Sequence, residues 1–245
     1  MKKIYVGAAY YPEMWEESEV DRDIVRMKEA GVNVVRVAEF AWGKMEPEEG
    51  KFDLGWLERA VDKLHKAGID VIMCTPTCTP PRWLLDKYPE TRSIGADGTR
   101  TGVFSRCHPC KSSPVMREKN RIIVTELAKA FGKHPAVIGW QIDNEIYPYG
   151  DGCYCPLCQN KFRAYLKEKY GTPENLNAKW GMQRWSLEYK SFDDVIPPLR
   201  VRWEHPSLQT EWTRFHCKNI VSYVNEQAEI LHKYTSAPVG TDMMP

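Results

Sequence analysis

The chain has 245 residues, and its 34 Lys and Arg nearly balance 33 Asp and Glu, giving a formal net charge of +1. This length suits one large α/β domain, and the balanced charge argues against a nucleic-acid or anionic-membrane partner. No apolar run approaches the roughly 18 residues of a membrane span, and the apolar stretch after Met1 is too short for a signal peptide, so we expect a soluble, cytoplasmic protein.

Short apolar runs alternate with helical patterns along the chain. This alternation predicts a parallel α/β sheet, and no glycine-rich nucleotide-binding loop follows any strand. Glycines at 31 and 68 are suited to ending the first two helices, because glycine readily adopts a left-handed conformation. The predicted strands span residues 4–9, 32–37, 69–74, 136–142 and 238–242, and the predicted helices span 17–30, 55–67, 114–131, 158–170 and 208–234.

The loops that follow the strands are long and rich in Trp, Glu, Arg and Cys. Such loops are typical of a (β/α)8 TIM barrel, in which the active site lies at the carboxyl ends of the strands. Five strands are predicted where a barrel needs eight. We therefore expect residues 1–245 to supply about the first five β/α units of a barrel whose sequence continues beyond this chain.

An Asn-Glu pair, Asn144 and Glu145, comes directly after the fourth predicted strand. Glycoside hydrolysis needs one carboxylic acid that protonates the leaving oxygen and a second carboxylate that attacks the anomeric carbon or activates water. Glu145 is therefore the best candidate for a catalytic acid. The alternative is a glutamate that only caps a helix or faces solvent.

Three cysteines, Cys153, Cys155 and Cys158, stand close enough in sequence to share one loop. With a fourth thiolate they would form the tetrahedral cage that structural zinc prefers. Cys107 and Cys110 are both candidates for that fourth ligand. The alternative is a set of reduced cysteines without a metal. Both interpretations predict a reducing compartment, and neither requires disulfide bonds.

Several sequence blocks together resemble one enzyme family. They are YYPE at 10–13, NVVRVAEFAW at 33–42, EPEEG at 46–50, TPTCTPPRW at 75–83 and WQIDNE at 140–145, in this order. They closely resemble the N-terminal part of the β-galactosidases of glycoside hydrolase family 42. The resemblance implies a (β/α)8 barrel of clan A that removes terminal non-reducing β-D-galactose from small β-galactosides or galacto-oligosaccharides with retention of configuration.

The resemblance also implies roles for individual residues. Glu145 matches the acid/base of the family, and Asn144 and Arg106 match residues that hold the sugar. Arg36 and Glu39 fall on a block near the sugar pocket, and so does Trp42. The nucleophile of the family is a glutamate at the end of the seventh strand, which would lie beyond residue 245.

For the metal, the resemblance selects Cys110 as the fourth ligand, because the block SRCHPC at 105–110 aligns with a family block whose last residue is the ligand. A zinc held by Cys110, Cys153, Cys155 and Cys158 would be structural, within a loop insertion near 105–160. The family resemblance further suggests a homo-oligomer, specifically a trimer.

Two other functions remain open. Another retaining hydrolase of clan A, of the mannanase or cellulase type, would share the Asn-Glu pair after the fourth strand, although the cysteines and the YYPE block argue against it. A non-catalytic, zinc-stabilised sugar-binding fragment would explain a missing nucleophile. Cleavage at chain ends would distinguish the β-galactosidase from a mannanase or cellulase, which cleaves within chains. Galactose binding without turnover would support the sugar-binding fragment.

We predict that residues 1–245 alone do not hydrolyse a nitrophenyl β-D-galactoside at a substantial rate, because the second carboxylate of the reaction is missing. The measurement is the initial rate of the purified chain beside its Glu145→Gln variant. Turnover by the monomeric chain that disappears in Glu145→Gln would contradict this prediction and place a second carboxylate within these residues.

Overall fold

A computed structural model describes residues 3–103, 109–147, 152–199, 201 and 203–243. Its centre is a five-stranded parallel sheet in which every strand pairs with the next one along the chain. Five consecutive parallel strands with helices between them are the arrangement of the first units of a (β/α)8 barrel, so the predicted fold class is confirmed. The strands are β1 (Gly7–Ala9), β2 (Val34–Val37), β3 (Asp70–Cys74), β4 (Val137–Gln141) and β5 (Val239–Gly240).

The first strand is shorter than predicted, because residues 4–6 have a different partner. The side-chain amide of Asn33 donates to the carbonyl of Ile4 and accepts from the backbone N–H of Val6, both at 2.9 Å. An asparagine side chain therefore takes the place of a neighbouring strand there. The last strand is also shorter than predicted and retains two residues.

Eight α-helices are present in the described part of the chain, and five of them match the predicted ones within a few residues. Helix α5 has the predicted bounds, and Gly31 and Gly68 have the expected positive φ of 78° and 73°. The sequence patterns missed the short helices α2, α4 and α7. The helices are α1 (Glu19–Glu29), α2 (Trp42–Met45), α3 (Gly55–Lys66), α4 (Arg82–Lys87), α5 (Pro114–Phe131), α6 (Pro156–Tyr170), α7 (Pro173–Trp180) and α8 (Pro206–Leu231).

Helix α7 begins and ends with local signals that a propensity pattern overlooks. The Thr172 hydroxyl accepts a hydrogen bond from the N–H of Asn175 at 3.3 Å, and Pro173 occupies the first helical position. Gly181 ends the helix with a φ of +67°. A capping threonine, a proline at the first position and a left-handed glycine together define a helix that is only eight residues long.

Two large hydrophobic clusters form most of the interior, beside a third, small one of Ile146, Ile220 and Tyr223. The larger one lies between the sheet and helices α3 and α5, and its fully buried members include Trp42, Met45, Leu57, Leu64, Ile69, Met73, Leu84, Met116 and Phe131. The second large one surrounds the cysteines and joins α6, α7 and the first half of α8. It includes Cys110, Cys153, Cys155, Cys158, Phe162, Leu166, Trp180, Trp212 and Phe215.

Helices α5 and α8 are joined by one buried arginine. The Arg117 guanidinium pairs with Glu226, and it also donates to the Ser222 hydroxyl at 3.0 Å and to the Asn219 side chain at 2.9 Å.

Within the described ranges, no helix is long and apolar enough to cross a membrane.

Two adjacent isoleucines of α5 provide a matched test of the larger cluster. Ile123 is 0% exposed and Ile122 is 37% exposed. We expect Ile123→Ala to lower the free energy of unfolding by about 2–5 kcal/mol, because the deletion leaves a cavity, and Ile122→Ala to lower it by less than about 1 kcal/mol. Urea unfolding of both variants is the measurement. Equal losses would contradict the packing described here.

Candidate functional site

The chain turns sharply where β4 ends, and this turn carries the predicted Asn-Glu pair. Asp143 and Glu145 have positive φ angles of 59° and 46°, which are unusual for residues other than glycine. Each such residue costs about 1–3 kcal/mol and persists only where its surroundings hold it. Asn144 is buried between them, and Glu145 is partly exposed.

Asp143 is held by the end of β3 and by α8. Its backbone N–H donates to the Thr75 hydroxyl at 2.8 Å, and its carboxylate accepts from the Thr77 hydroxyl at 2.7 Å. The carboxylate also accepts from the Tyr223 hydroxyl at 3.2 Å and from the N–H of Asn144 at 2.9 Å. These bonds tie the first half of the turn to two neighbouring elements.

Arg36 and Glu39 lie at the same edge of the sheet, at the end of β2. The Arg36 Nε lies 2.7 Å from Glu39 Oε2, and Arg36 also donates to Gln141 Oε1 on β4 at 3.0 Å. Burial raises the pKa of the Glu39 carboxyl, and the Arg36 guanidinium opposes that rise. The structure thus brings Arg36 and Glu39 to the sheet edge that also carries Asn144 and Glu145.

Sequence reasoning missed Asp242, which connects these residues. Its Oδ1 accepts from the backbone N–H of Glu145 at 2.9 Å and from Gln141 Nε2 at 3.1 Å. Its Oδ2 lies 3.4 Å from the Arg36 guanidinium. The signal was its position at the carboxyl end of the fifth predicted strand, where parallel strands present functional side chains.

Two further expectations for the sugar pocket have different outcomes. Arg106 lies outside the described residues. Trp42 was expected near the sugar pocket, but it is fully buried in the larger cluster, where its Nε1 donates to Glu46 Oε2 at 2.8 Å. Its indole therefore presents no exposed face on which a sugar could stack.

The four cysteines selected in the sequence come together. Cys110 Sγ lies 3.7 Å from the sulfur of Cys155 and 3.5 Å from that of Cys158, and all four sulfur atoms, including that of Cys153, lie within 4.8 Å of one another. Four thiolates about 2.3 Å from a tetrahedral metal have sulfurs about 3.8 Å apart. The donor set therefore fits a tetrahedral metal. Cys107 lies outside the described residues.

Comparison with known proteins assigns the chain to a family. The family model of glycoside hydrolase family 42, described as β-galactosidase, matches residues 9–245. The chain belongs to glycoside hydrolase family 42. It is 43% identical over 240 residues to β-galactosidase YesZ of Bacillus subtilis, which covers 98% of this chain and 36% of that protein. It is 44% identical over 232 residues to a β-galactosidase of Thermus thermophilus, with 94% and 36% covered.

A solved structure of the same family has the same fold. The crystal structure of the cold-adapted β-galactosidase from Rahnella sp. R3 matches with a TM-score of 0.95 at 35% identity, covering 100% of this chain and 36% of that chain. The chain thus spans about 36% of the length of the curated relatives named above. The family that the sequence blocks predicted is confirmed.

The buried carboxylate of Glu211 joins α8 to α6 beside the cysteine cluster, and its pKa differs from the ordinary value. Burial alone would raise the pKa of Glu211, but hydrogen bonds from Lys169, Tyr165 and Arg214 lower it to about 2. A depressed pKa stabilises the fold above the ordinary value of 4.5, and this stabilisation is lost as the pH falls toward 2.

We therefore expect Glu211→Gln to lower the free energy of unfolding by on the order of 2 kcal/mol at neutral pH and by progressively less below pH 4.5. Urea unfolding across this pH range is the measurement, with the exposed Glu168 of α6, changed to Gln, as the control. A difference that stays constant with pH would show that the Glu211 carboxylate is not the cause.

Proposed function

We propose that this chain supplies the acid/base part of a retaining β-galactosidase site. The observation that carries the proposal is the position of Asn144 and Glu145 on a held turn at the carboxyl end of β4, in a chain whose relatives are named β-galactosidases. Glu145 is the acid/base. Asn144, Arg106, Arg36 and Glu39 bind the sugar.

In this reaction, Glu145 donates its proton to the glycosidic oxygen while a second carboxylate attacks the anomeric carbon. The bond to the leaving group breaks, and a covalent galactosyl-enzyme forms. Glu145 then takes a proton from water, which attacks the anomeric carbon and releases galactose with its original configuration. We propose that the second carboxylate comes from sequence beyond residue 245, consistent with the 36% of the relatives' length that this chain covers.

The paired charges around the turn suit a neutral, polyhydroxylated ligand. Arg36 is already paired with Glu39, so its remaining donors can bind hydroxyl groups without leaving an unpaired charge. The substrate that we propose is a small β-galactoside or galacto-oligosaccharide. We further propose a homo-oligomer, for which the family suggests a trimer. We also propose a reducing, cytoplasmic setting, since none of the seven described cysteines forms a disulfide bond.

We propose that Cys110, Cys153, Cys155 and Cys158 hold a structural zinc ion. The support is the four buried sulfurs, whose mutual distances suit a tetrahedral ion. Four protein ligands leave no open position, so the zinc would stabilise the loop insertion near 105–160 and would take no part in bond cleavage.

Zinc removal tests this site. We expect one zinc per chain by metal analysis, and we expect Cys155→Ser to lose it together with a large part of the stability, because the binding free energy of a structural zinc is folding free energy. Cys217→Ser, at an exposed cysteine, and Cys107→Ser are the controls and should keep the metal. Zinc lost in Cys107→Ser but kept in Cys110→Ala would contradict the ligand set.

The acid role of Glu145 predicts a dependence on the leaving group. In the protein extended to the length of its relatives, Glu145→Gln should slow hydrolysis of a disaccharide by about 10²–10⁴-fold, the usual contribution of general acid catalysis. It should slow formation of the galactosyl-enzyme from a dinitrophenyl galactoside much less, because that leaving group needs no proton.

Glu48→Gln, at an exposed glutamate, is the matched control and should change neither rate. Equal losses on both substrates would contradict the acid role of Glu145. Cleavage within oligosaccharides instead of at galactose ends would favour the mannanase or cellulase type of hydrolase.

A further inference from the structure

We infer that Asp242 is a positioning residue, which fixes the backbone of Glu145 and thereby the direction of its carboxyl group. The inference rests on the proposed acid/base role of Glu145. In this role Asp242 does not touch the reacting atoms. It acts through the peptide that carries Glu145, and its carboxylate accepts the N–H of that residue at 2.9 Å.

The Glu145 backbone needs such a partner. Its φ of +46° lies in the left-handed region, which a side chain with a Cβ disfavours, and Asp143 two residues earlier has the same sign at +59°. Strained residues of this kind persist only where surrounding bonds determine their conformation. Asp143 is tied to β3 and α8 through Thr75, Thr77 and Tyr223, but these bonds hold only the start of the turn.

The end of the turn is tied to β5 through Asp242. Its carboxylate oxygen Oδ1 accepts from Glu145, and its backbone carbonyl accepts the N–H of Ile146 at 3.2 Å. Two successive peptides of the turn therefore bond to this one residue. The turn is thus held from two sides, at Asp143 by the threonines that follow β3 and at Glu145 by Asp242, which follows β5.

Asp242 is itself held in place by the polar residues of the site. Gln141 Nε2 donates to Oδ1 at 3.1 Å, and the Arg36 guanidinium lies 3.4 Å from Oδ2. Arg36 is paired in turn with Glu39 at 2.7 Å. A hydrogen bond to an ionised carboxylate is stronger than one to a neutral group, so an aspartate at this position restrains the peptide better than a neutral side chain does.

The amide of Glu145 gives a direct readout that does not depend on catalysis. In the isotope-labelled protein extended to the length of its relatives, Asp242→Ala should speed hydrogen exchange of the Glu145 amide by roughly tenfold or more, the range that a hydrogen bond to a charged group represents. Asp242→Asn, which retains an acceptor oxygen, should restore much of the protection. Asp193→Ala, at an exposed aspartate, is the matched control and should leave it unchanged.

Amides of the core helix α5, such as those of Val124 and Leu127, separate positioning from unfolding. They should exchange at unchanged rates in Asp242→Ala if the effect is confined to the turn. Equal acceleration of α5 and Glu145 would overturn the inference, because it would show a general loss of stability. Unchanged exchange at Glu145 would overturn it as well.

Hydrolysis gives the second readout. In the protein extended to the length of its relatives, Asp242→Ala should lower kcat for a disaccharide more than for a dinitrophenyl galactoside, and Asp242→Asn should partly restore it. If Glu145→Gln has no effect on either substrate, the proposed function fails. If Glu145→Gln behaves as an acid variant and Asp242→Ala has no effect, only the role of Asp242 fails.

Discussion

The parallel pairing of neighbouring strands is the constraint on which the rest of the site depends. In a parallel sheet all strands point the same way, so the residues that follow them meet at one edge. Glu39 follows β2, Thr75 and Thr77 follow β3, Glu145 follows β4 and Asp242 follows β5. These residues come from distant parts of the sequence, and their hydrogen bonds exist only because the strands end side by side.

The turn after β4 is a point of backbone strain within this arrangement. Two residues other than glycine adopt positive φ angles there, and hydrogen bonds to the carboxylates of Asp143 and Asp242 offset that strain. A rigid backbone under a partly exposed carboxyl group is the arrangement that proton transfer in a fixed direction requires. The strained turn, residues 143–146, is therefore the same segment that carries the proposed acid/base Glu145.

The cysteine cluster lies in a separate part of the structure, away from the sheet. Cys110 precedes α5, whereas Cys153, Cys155 and Cys158 lie in and before the first turn of α6. The hydrophobic cluster around them is small, and much of it is contributed by α6 and by aromatic residues of α8, such as Trp212 and Phe215. A metal that joins the loop before α5 to α6 would fix a region that the main sheet does not reach.

A large part of this structure could be predicted from the sequence, because hydrophobic periodicity indicates the strands and helices and the family blocks indicate the site residues. The five strands, the bounds of α5, the place of Asn144 and Glu145 and the three clustered cysteines all follow from local patterns. The roles of Asp143 and Asp242 did not follow from local patterns, because they depend on contacts between residues that are 66 to 101 positions apart. The burial of Trp42 was missed because it depends on tertiary packing in the larger cluster. Its hydrogen-bond partner Glu46 is only four residues away and does not reveal that packing.

The most direct test of a galactose site at this edge is a map of sugar binding on the isotope-labelled protein extended to the length of its relatives. Amide chemical shifts are followed as β-D-galactose is added, with glucose as the control sugar. The account predicts that galactose causes the largest changes at Arg36, Glu39 and residues 143–146, and that glucose causes smaller ones. Changes confined to the cysteine cluster, or no change specific to galactose, would contradict it.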